Sequence, residues 1–257
     1  MHRVTSNDGT SIAYDRQGDG PAVVLVGGGL DDGAENAPLA TELAHRFTVV
    51  NYARRGRGDS GDTLPYAVER EIEDIEALIA ETGGSAHLYG VSSGGALALE
   101  AAAAGVAIDK LAVYDVPYSV DDDASQRWRE YVERLGPALA EGRRGDALEL
   151  FMRVAGSSEE GIASARSSPM WPGLEAIAHT LAYDAACLGD GHPPAARLAQ
   201  IRQPTLVSTG GSAAFFEQSA DALAARLPRA ERLTIEGQSH VADPKAVAPV
   251  LERFFNG

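Results

Sequence analysis

The stretch that decides the fold is residues 86–104, AHLYGVSSGGALALEAAAA, which passes from a strand pattern to a helix pattern within a few residues. Ala86–Tyr89 is short and apolar, as in a buried strand, and the residues from Gly94 onward are small or apolar, as in a helix packed closely on a sheet. Between them stands Gly90-Val91-Ser92-Ser93-Gly94. A serine between two glycines on a tight strand-to-helix turn predicts a nucleophile whose hydroxyl projects from the sheet. The alternative is a glycine-rich turn without chemistry.

On both sides of this stretch, strand-like runs alternate with helical patterns, which predicts a mainly parallel sheet flanked by helices. The first 20 residues differ, because two turn signals surround Ser11–Asp15 and predict an antiparallel hairpin. Asp243 and Pro244 predict the N-cap and first turn of a last helix. The further strand candidates are Ala22–Val26, Phe47–Tyr52, Lys110–Tyr114, Thr205–Ser208 and Arg232–Ile235.

Residues 117–203 interrupt this alternation, since no strand pattern is found there. Helical patterns cover Ala124–Leu135, Asp146–Val154 and Leu174–Ala186. They predict a small helical cap inserted into one α/β core, which is formed by residues 1–116 and 204–257. The aromatic side chains of the cap either line a pocket or pack cap against core, and Trp171, flanked by Pro169 and Pro172, is the candidate for the pocket.

The composition limits the partners and the compartment. With 22 basic and 37 acidic residues, the formal net charge is −15, which argues against nucleic acid and anionic membrane as partners. Cys187 is the single cysteine, so an intrachain disulfide is excluded. No signal-like or bilayer-length apolar run occurs, which predicts a soluble, cytoplasmic protein. The sequence does not determine the oligomeric state, and a homodimer is one of the alternatives.

With these motifs, the sequence resembles the α/β-hydrolase superfamily, its serine-nucleophile branch, along nearly its whole length. The likeness rests on Gly90–Gly94, on the turn Gly27-Gly28-Gly29 after the first buried strand, on the loop from Tyr52 to Ser60, and on Gly237-Gln238-Ser239-His240. Two positions depart from the family pattern: Gly27 replaces the usual histidine, and Ala53 replaces the usual aspartate. The resemblance implies an α/β-hydrolase fold and cofactor-free acyl or related chemistry on a small-molecule substrate. The apolar side chains of the cap favour an apolar or aromatic substrate.

The resemblance also assigns roles to individual residues. Ser92 is the nucleophile, and it needs an adjacent base because a serine hydroxyl is a weak nucleophile at neutral pH. His240 is that base. The backbone N–H groups of Ser93 and Gly29, with Gly28 beside them, are expected to bind the oxyanion. No histidine or acid spacing predicts a metal site.

The acid of the triad is the least determined residue. The family usually carries it in the loop after the strand Thr205–Ser208, and residues 209–214 hold no carboxylate here. Asp115, at the end of the preceding strand, is therefore the predicted acid, and it preserves the order serine, acid, histidine. Asp184, Glu217 and a bare serine–histidine pair stay open as alternatives.

The predicted function is a serine hydrolase that cleaves an ester or related acyl bond through an acyl-enzyme at Ser92. Two alternatives belong to other classes. One is a non-hydrolytic enzyme on the same fold, such as an acyltransferase, cyclase or lyase. The other is a ligand-binding homologue that has lost turnover.

Overall fold

Eight strands form one sheet in the computed structural model, which describes residues 1–257. The strands are β1 (His2–Thr5), β2 (Ser11–Gln17), β3 (Ala22–Val26), β4 (Thr48–Tyr52), β5 (Ala86–Val91), β6 (Ile108–Tyr114), β7 (Thr205–Gly211) and β8 (Ala230–Gln238). They lie in the order β1-β2-β4-β3-β5-β6-β7-β8. The pairs β1–β2 and β2–β4 are antiparallel and all other pairs are parallel, so the predicted hairpin and the predicted mainly parallel sheet are confirmed.

Eleven α-helices accompany the sheet. They are α1 (Ala37–Leu43), α2 (Val68–Ala80), α3 (Ser93–Ala104), α4 (Asp122–Ala140), α5 (Arg144–Val154), α6 (Glu159–Arg166), α7 (Trp171–Ile177), α8 (Leu181–Leu188), α9 (Ala195–Leu198), α10 (Ala214–Ala224) and α11 (Pro244–Asn256). Asp243 caps α11 as predicted, because its side chain accepts a hydrogen bond from the N–H of Lys245. No helix is both long and apolar enough to traverse a bilayer.

The two faces of the sheet bury separate apolar clusters. One cluster packs β3, β5 and β6 against α2, α3 and α10, and the other packs the opposite face against α1 and α11. Val23 and Val24 point to opposite faces, and both are fully buried. Burial on both faces explains why the parallel strands read as unbroken apolar runs in the sequence.

Between β6 and β7 the chain forms helices only, α4 to α9. The sequence pattern over Leu174–Ala186 predicts one helix, and this is wrong in detail: α7 ends at Ile177, a 3-10 turn covers Ala178–Thr180, and α8 follows. The Thr180 hydroxyl donates to the Ile177 carbonyl at 2.7 Å, a local bond that competes with regular helix geometry. Helix α6 is absent from the sequence prediction, although Ser158 caps it through the N–H of Gly161.

Two positions in the turn between β5 and α3 have room only for glycine. A Cβ on Gly90 would lie 2.5 Å from the Gly94 carbonyl oxygen, and one on Gly94 would lie 2.4 Å from the carbonyl oxygen of Gly27. Neither neighbour is a flexible side chain, so no larger residue fits without a backbone shift. The carboxyl ends of β3, β5, β6 and β7 meet at this edge of the sheet, where α/β folds place their ligands.

Gly94→Ala should destabilise the protein by about 1–3 kcal/mol or more, because the added methyl overlaps backbone at the end of β3. The matched control is Gly173→Ala in α7, where nothing lies within 4 Å of the new Cβ. There the better helix propensity of alanine should add up to about 1 kcal/mol. Urea unfolding of both variants measures the difference, and equal stabilities would contradict the packing argument.

Candidate active site

Ser92 occupies the turn between β5 and α3 in a strained backbone conformation. Its φ is 56° and its ψ is −129°, and its N–H donates to the Tyr114 carbonyl at 2.9 Å. Only two other non-glycine residues in the chain have positive φ, Leu30 at 62° and Asp115 at 47°. All three follow strands at the same edge of the sheet. Such conformations cost about 1–3 kcal/mol each and concentrate at functional sites.

The glycine turn after β3 lies against this serine. A Cβ on Gly28 would come within 3.0 Å of the Ser92 Cβ, and a Cβ on Gly29 would lie 3.5 Å from the Phe151 ring. The N–H of Gly29 and the N–H of Ser93 donate to no protein group. Two free backbone donors therefore stand beside Ser92, and that of Ser93 opens helix α3, where the helix dipole also favours negative charge.

A hydrogen bond joins His240 to Asp115. The distance from His240 Nδ1 to Asp115 Oδ2 is 3.2 Å, and Asp115 Oδ1 accepts from the N–H of Gly210 at 3.3 Å. The Asp115 side chain is 1% exposed and that of His240 is 41% exposed. The imidazole stacks on the Phe216 ring, with centroids 4.7 Å apart and planes 7° apart. The carboxylate and the phenyl ring together orient the imidazole.

No hydrogen bond links the Ser92 hydroxyl to His240 in this structure, and the hydroxyl donates to no other side chain. Bonds between a nucleophile and its base are often long without substrate and shorten in the reacting complex. The serine and the histidine reach this edge from strands that are not adjacent, Ser92 from β5 and His240 from the loop after β8, with β6 and β7 between them.

The carboxyl ends of β6 and β7 contact the segment that carries His240, and β7 continues to Gly211, three residues beyond the predicted strand. A Cβ on Gly210 would meet the Gln238 carbonyl oxygen at 2.3 Å, and the Tyr114 hydroxyl donates to the Ser239 carbonyl at 2.6 Å. A carboxylate at position 210 therefore has no room. Asp115, one strand closer to Ser92, is the carboxylate that reaches His240.

The two alternative acids lie elsewhere. Glu217 on α10 accepts a hydrogen bond from Arg232 at 2.6 Å and another from Thr234 at 3.1 Å. Asp184 on α8 binds Arg54, Arg57 and the hydroxyl of Ser93. Neither carboxylate bonds to His240, so neither of them orients the imidazole.

A cluster of buried charged side chains lies beside the glycine turn, and the sequence analysis does not predict it. Arg54, Arg57 and Glu71 are each 1% exposed, and Asp184 is 5% exposed. Arg54 makes two bonds of 2.7 Å to the carboxylate of Glu71 and one of 2.7 Å to Asp184 Oδ1. Arg57 contacts the same Asp184 oxygen at 2.8 Å. The sequence signal that could have indicated this cluster is the group of arginines at positions 54, 55 and 57. Three charged residues this close together usually indicate a solvent-exposed loop.

The charges shift the carboxyl pKa values in the cluster. Burial alone would raise the pKa of Glu71, but the charge and hydrogen bonds of Arg54 outweigh burial and lower it. Burial likewise opposes ionisation of Asp184, and the charges of Arg57 and Arg54 lower its pKa. Both carboxylates are therefore ionised at neutral pH, and the four groups are balanced in charge.

Trp171 does not lie at an open surface. It is 6% exposed and belongs to the apolar cluster inside the helical segment, together with Tyr131, Leu148 and Leu181. Burial in this cluster gives Trp171 a packing role, which differs from the expected place in the pocket.

Nowhere in the chain are three His, Cys, Asp or Glu side chains grouped as a metal site requires.

A small cavity borders His240 on the side of α1 and α11. Its volume is about 40 Å³, and Asn36, Tyr89 and Val247 contribute to its lining. A space of this size has room for one or a few water molecules.

Comparisons with known proteins identify the family of this chain. A family model for the alpha/beta hydrolase family matches residues 22–250. A pimeloyl-[acyl-carrier protein] methyl ester esterase of Xanthomonas campestris pv. campestris is 32% identical over 258 aligned positions, covering 92% of this chain and 96% of that protein. An uncharacterized hydrolase of Bacillus subtilis is 36% identical over 96 residues, which span 36% of this chain and 35% of that protein. The crystal structure of an alpha/beta hydrolase from Sphaerobacter thermophilus DSM 20745 has a TM-score of 0.90 and 51% identity, covering 99% of this chain and 100% of that one.

Glu71→Gln should destabilise the protein by about 3–5 kcal/mol at pH 7, because it leaves the buried Arg54 with one carboxylate partner instead of two. The pKa of Glu71 is lower in the folded state than its usual 4.5. Its contribution is therefore complete above that value and is lost as the pH falls through the folded pKa.

Urea unfolding of the wild type and the variant between pH 7 and pH 3 tests this, and the stability difference should shrink only at the acidic end. The control is Glu159→Gln, which removes an exposed partner of Arg153 and should leave the urea midpoint unchanged. A difference of the same size at every pH would contradict the role given to the Glu71 charge.

Proposed function

The chain belongs to the alpha/beta hydrolase family, and on that premise we propose that it hydrolyses small carboxylic esters through an acyl-enzyme at Ser92. One observation carries the proposal. A serine at positive φ, two free backbone N–H donors and the Asp115–His240 pair converge on one edge of the sheet. The similarity to a methyl ester esterase over 92% of the chain supports ester chemistry in particular.

Acylation uses each of these groups once. As the Ser92 oxygen attacks the ester carbonyl carbon, His240 Nε2 takes the hydroxyl proton. The carbonyl oxygen becomes negative and is stabilised by the N–H groups of Gly29 and Ser93. Asp115 holds the imidazole in the tautomer that accepts at Nε2 and stabilises the imidazolium. The tetrahedral intermediate then expels the alcohol, which takes the proton from His240 and leaves an acyl group on Ser92.

Deacylation repeats the sequence with water. His240 takes a proton from a water molecule whose oxygen attacks the acyl carbon. The same two N–H groups bind the oxyanion again. Ser92 leaves with the proton held by the imidazole, and the carboxylic acid is released. One water is consumed for each ester bond broken.

The helical segment 117–203 is proposed as the cap of the site, and its side chains indicate the substrate class. Phe151 of α5 lies next to Gly29, and Leu30 packs on the apolar cluster of the segment. Phe216 lies on the other side, against the imidazole. Apolar and aromatic surfaces around the reacting centre favour an ester with an apolar or aromatic acyl group.

A fluorophosphonate probe should label the wild type at Ser92 and leave Ser92→Ala unlabelled, because the probe reacts only with an activated serine. His240→Ala should be labelled far more slowly, since the base is removed. Mass spectrometry of the labelled peptide identifies the residue. Absence of labelling in a folded wild type, or turnover of p-nitrophenyl butyrate by Ser92→Ala, would contradict the proposal.

Asp115→Asn should lower kcat for p-nitrophenyl esters by up to about 10⁴-fold, because the amide favours the wrong imidazole tautomer. The matched control is Glu217→Gln, an acidic residue of the neighbouring helix that pairs with Arg232 instead of His240. It should change kcat by less than about tenfold. Equal losses in the two variants would mean that Asp115 is not the orienting acid.

A further inference from the structure

Two arginines hold the carbonyl groups of the glycine turn. Arg57 donates from one guanidinium nitrogen to the Gly28 carbonyl and from the other to Asp184 Oδ1 at 2.8 Å. Arg54 donates to the Gly27 carbonyl at 3.3 Å and to the same Asp184 oxygen at 2.7 Å. Both arginines are 1% exposed, so these bonds are not in competition with bulk water.

We propose that Arg57 is a positioning residue for the oxyanion hole, and that Asp184 keeps it in place. This inference rests on the proposed function, which assigns the Gly29 N–H to the oxyanion.

The physical reason lies in the peptide plane. The Gly28 carbonyl and the Gly29 N–H belong to one planar, trans peptide group and point in opposite directions. Fixing the carbonyl on the Arg57 guanidinium therefore fixes the direction of the N–H. A charged donor on the carbonyl also polarises the peptide and makes its N–H a stronger donor to a negative oxygen.

Asp184 connects the helical segment to both expected oxyanion donors. Its Oδ1 accepts from Arg57, and it also accepts from the Ser93 hydroxyl at 2.8 Å. Arg57 acts on the peptide of Gly29, and Ser93 carries the second donor. One carboxylate oxygen of α8 thus binds both the arginine that holds the Gly28 carbonyl and the side chain of the residue after Ser92.

The charge of Asp184 makes the arginines necessary. Its Oδ2 has no partner and lies 3.3 Å from the Cβ position of Gly29. An isolated carboxylate this close to the glycine turn would oppose the development of a negative oxygen there. The guanidinium groups of Arg54 and Arg57 offset it, so the turn stays favourable for negative charge.

Arg55 provides a matched control in the same loop. It is fully buried and pairs with Asp74 at 2.7 Å and with Asp8 at 2.9 Å. None of its bonds reaches the glycine turn. Lysine at either position keeps the charge but loses the planar, multi-donor geometry of the guanidinium.

Arg57→Lys and Arg57→Gln should lower kcat for p-nitrophenyl butyrate by about 10–100-fold, less than the 10²–10³-fold that loss of a direct oxyanion donor costs. KM should change by less than about threefold, because the interaction strengthens only in the transition state. A trifluoromethyl ketone, whose adduct with serine carries an oxyanion, should bind more weakly by the same factor as kcat falls. Arg55→Lys should lose a similar amount of thermal stability while kcat stays within about threefold.

The outcomes separate this inference from the proposed function. If the wild type is labelled at Ser92 and Ser92→Ala is inactive, but Arg57→Lys retains kcat and ketone affinity, the positioning role is wrong and the function stands. If Arg55→Lys and Arg57→Lys lose kcat equally, both act only through stability and the inference fails. Should Arg57→Gln not fold, the charge-retaining Arg57→Lys decides the question. If the fluorophosphonate probe does not label the folded wild type, the proposed function itself is wrong.

Discussion

The contact between the end of β3 and the start of α3 is the constraint on which the rest of the site depends. The carbonyl oxygens of Val26 and Gly27 lie 2.5 Å and 2.4 Å from the position of a Cβ on Gly94. The helix can begin this close to the strand only because residue 94 has no side chain. The approach makes the turn tight enough to force Ser92 into positive φ, and it brings the glycine turn of residues 27–29 against the serine. One backbone contact thus places Ser92 beside the two free backbone donors.

The strain at this edge is supported by the packing beneath it. Leu30, Ser92 and Asp115 each hold a costly backbone conformation, about 1–3 kcal/mol per residue. The strands that precede them are buried on both faces and held by parallel pairing with their neighbours. The packed strands therefore hold the strained residues in their positions. The structure contains the Asp115–His240 bond and no bond between Ser92 and His240.

Buried charge has a second role beside packing. A purely apolar filling around Arg54, Glu71 and Asp184 would stabilise the fold as well or better, since buried ion pairs seldom contribute much net stability. The charged groups add hydrogen bonds of defined direction. Arg54 and Arg57 donate to the carbonyl groups of Gly27 and Gly28, and Asp184 of α8 accepts from both arginines. These short bonds, buried from water, join the helical segment to the edge of the sheet that carries Ser92.

The sequence by itself determined the sheet, its hairpin, the flanking helices and the family, because hydrophobic periodicity and glycine spacing are local properties of the chain. It also selected Ser92, His240 and Asp115 as candidates, since each follows a recognisable strand. Only the tertiary structure decided that Asp115 bonds to His240 while Asp184 and Glu217 bind arginines. It also decided that Trp171 packs inside the helical segment, that Phe216 stacks on the imidazole, and that Arg57 holds the Gly28 carbonyl. These contacts join residues that are distant in sequence, and no local pattern records which partner a side chain meets once the chain has folded.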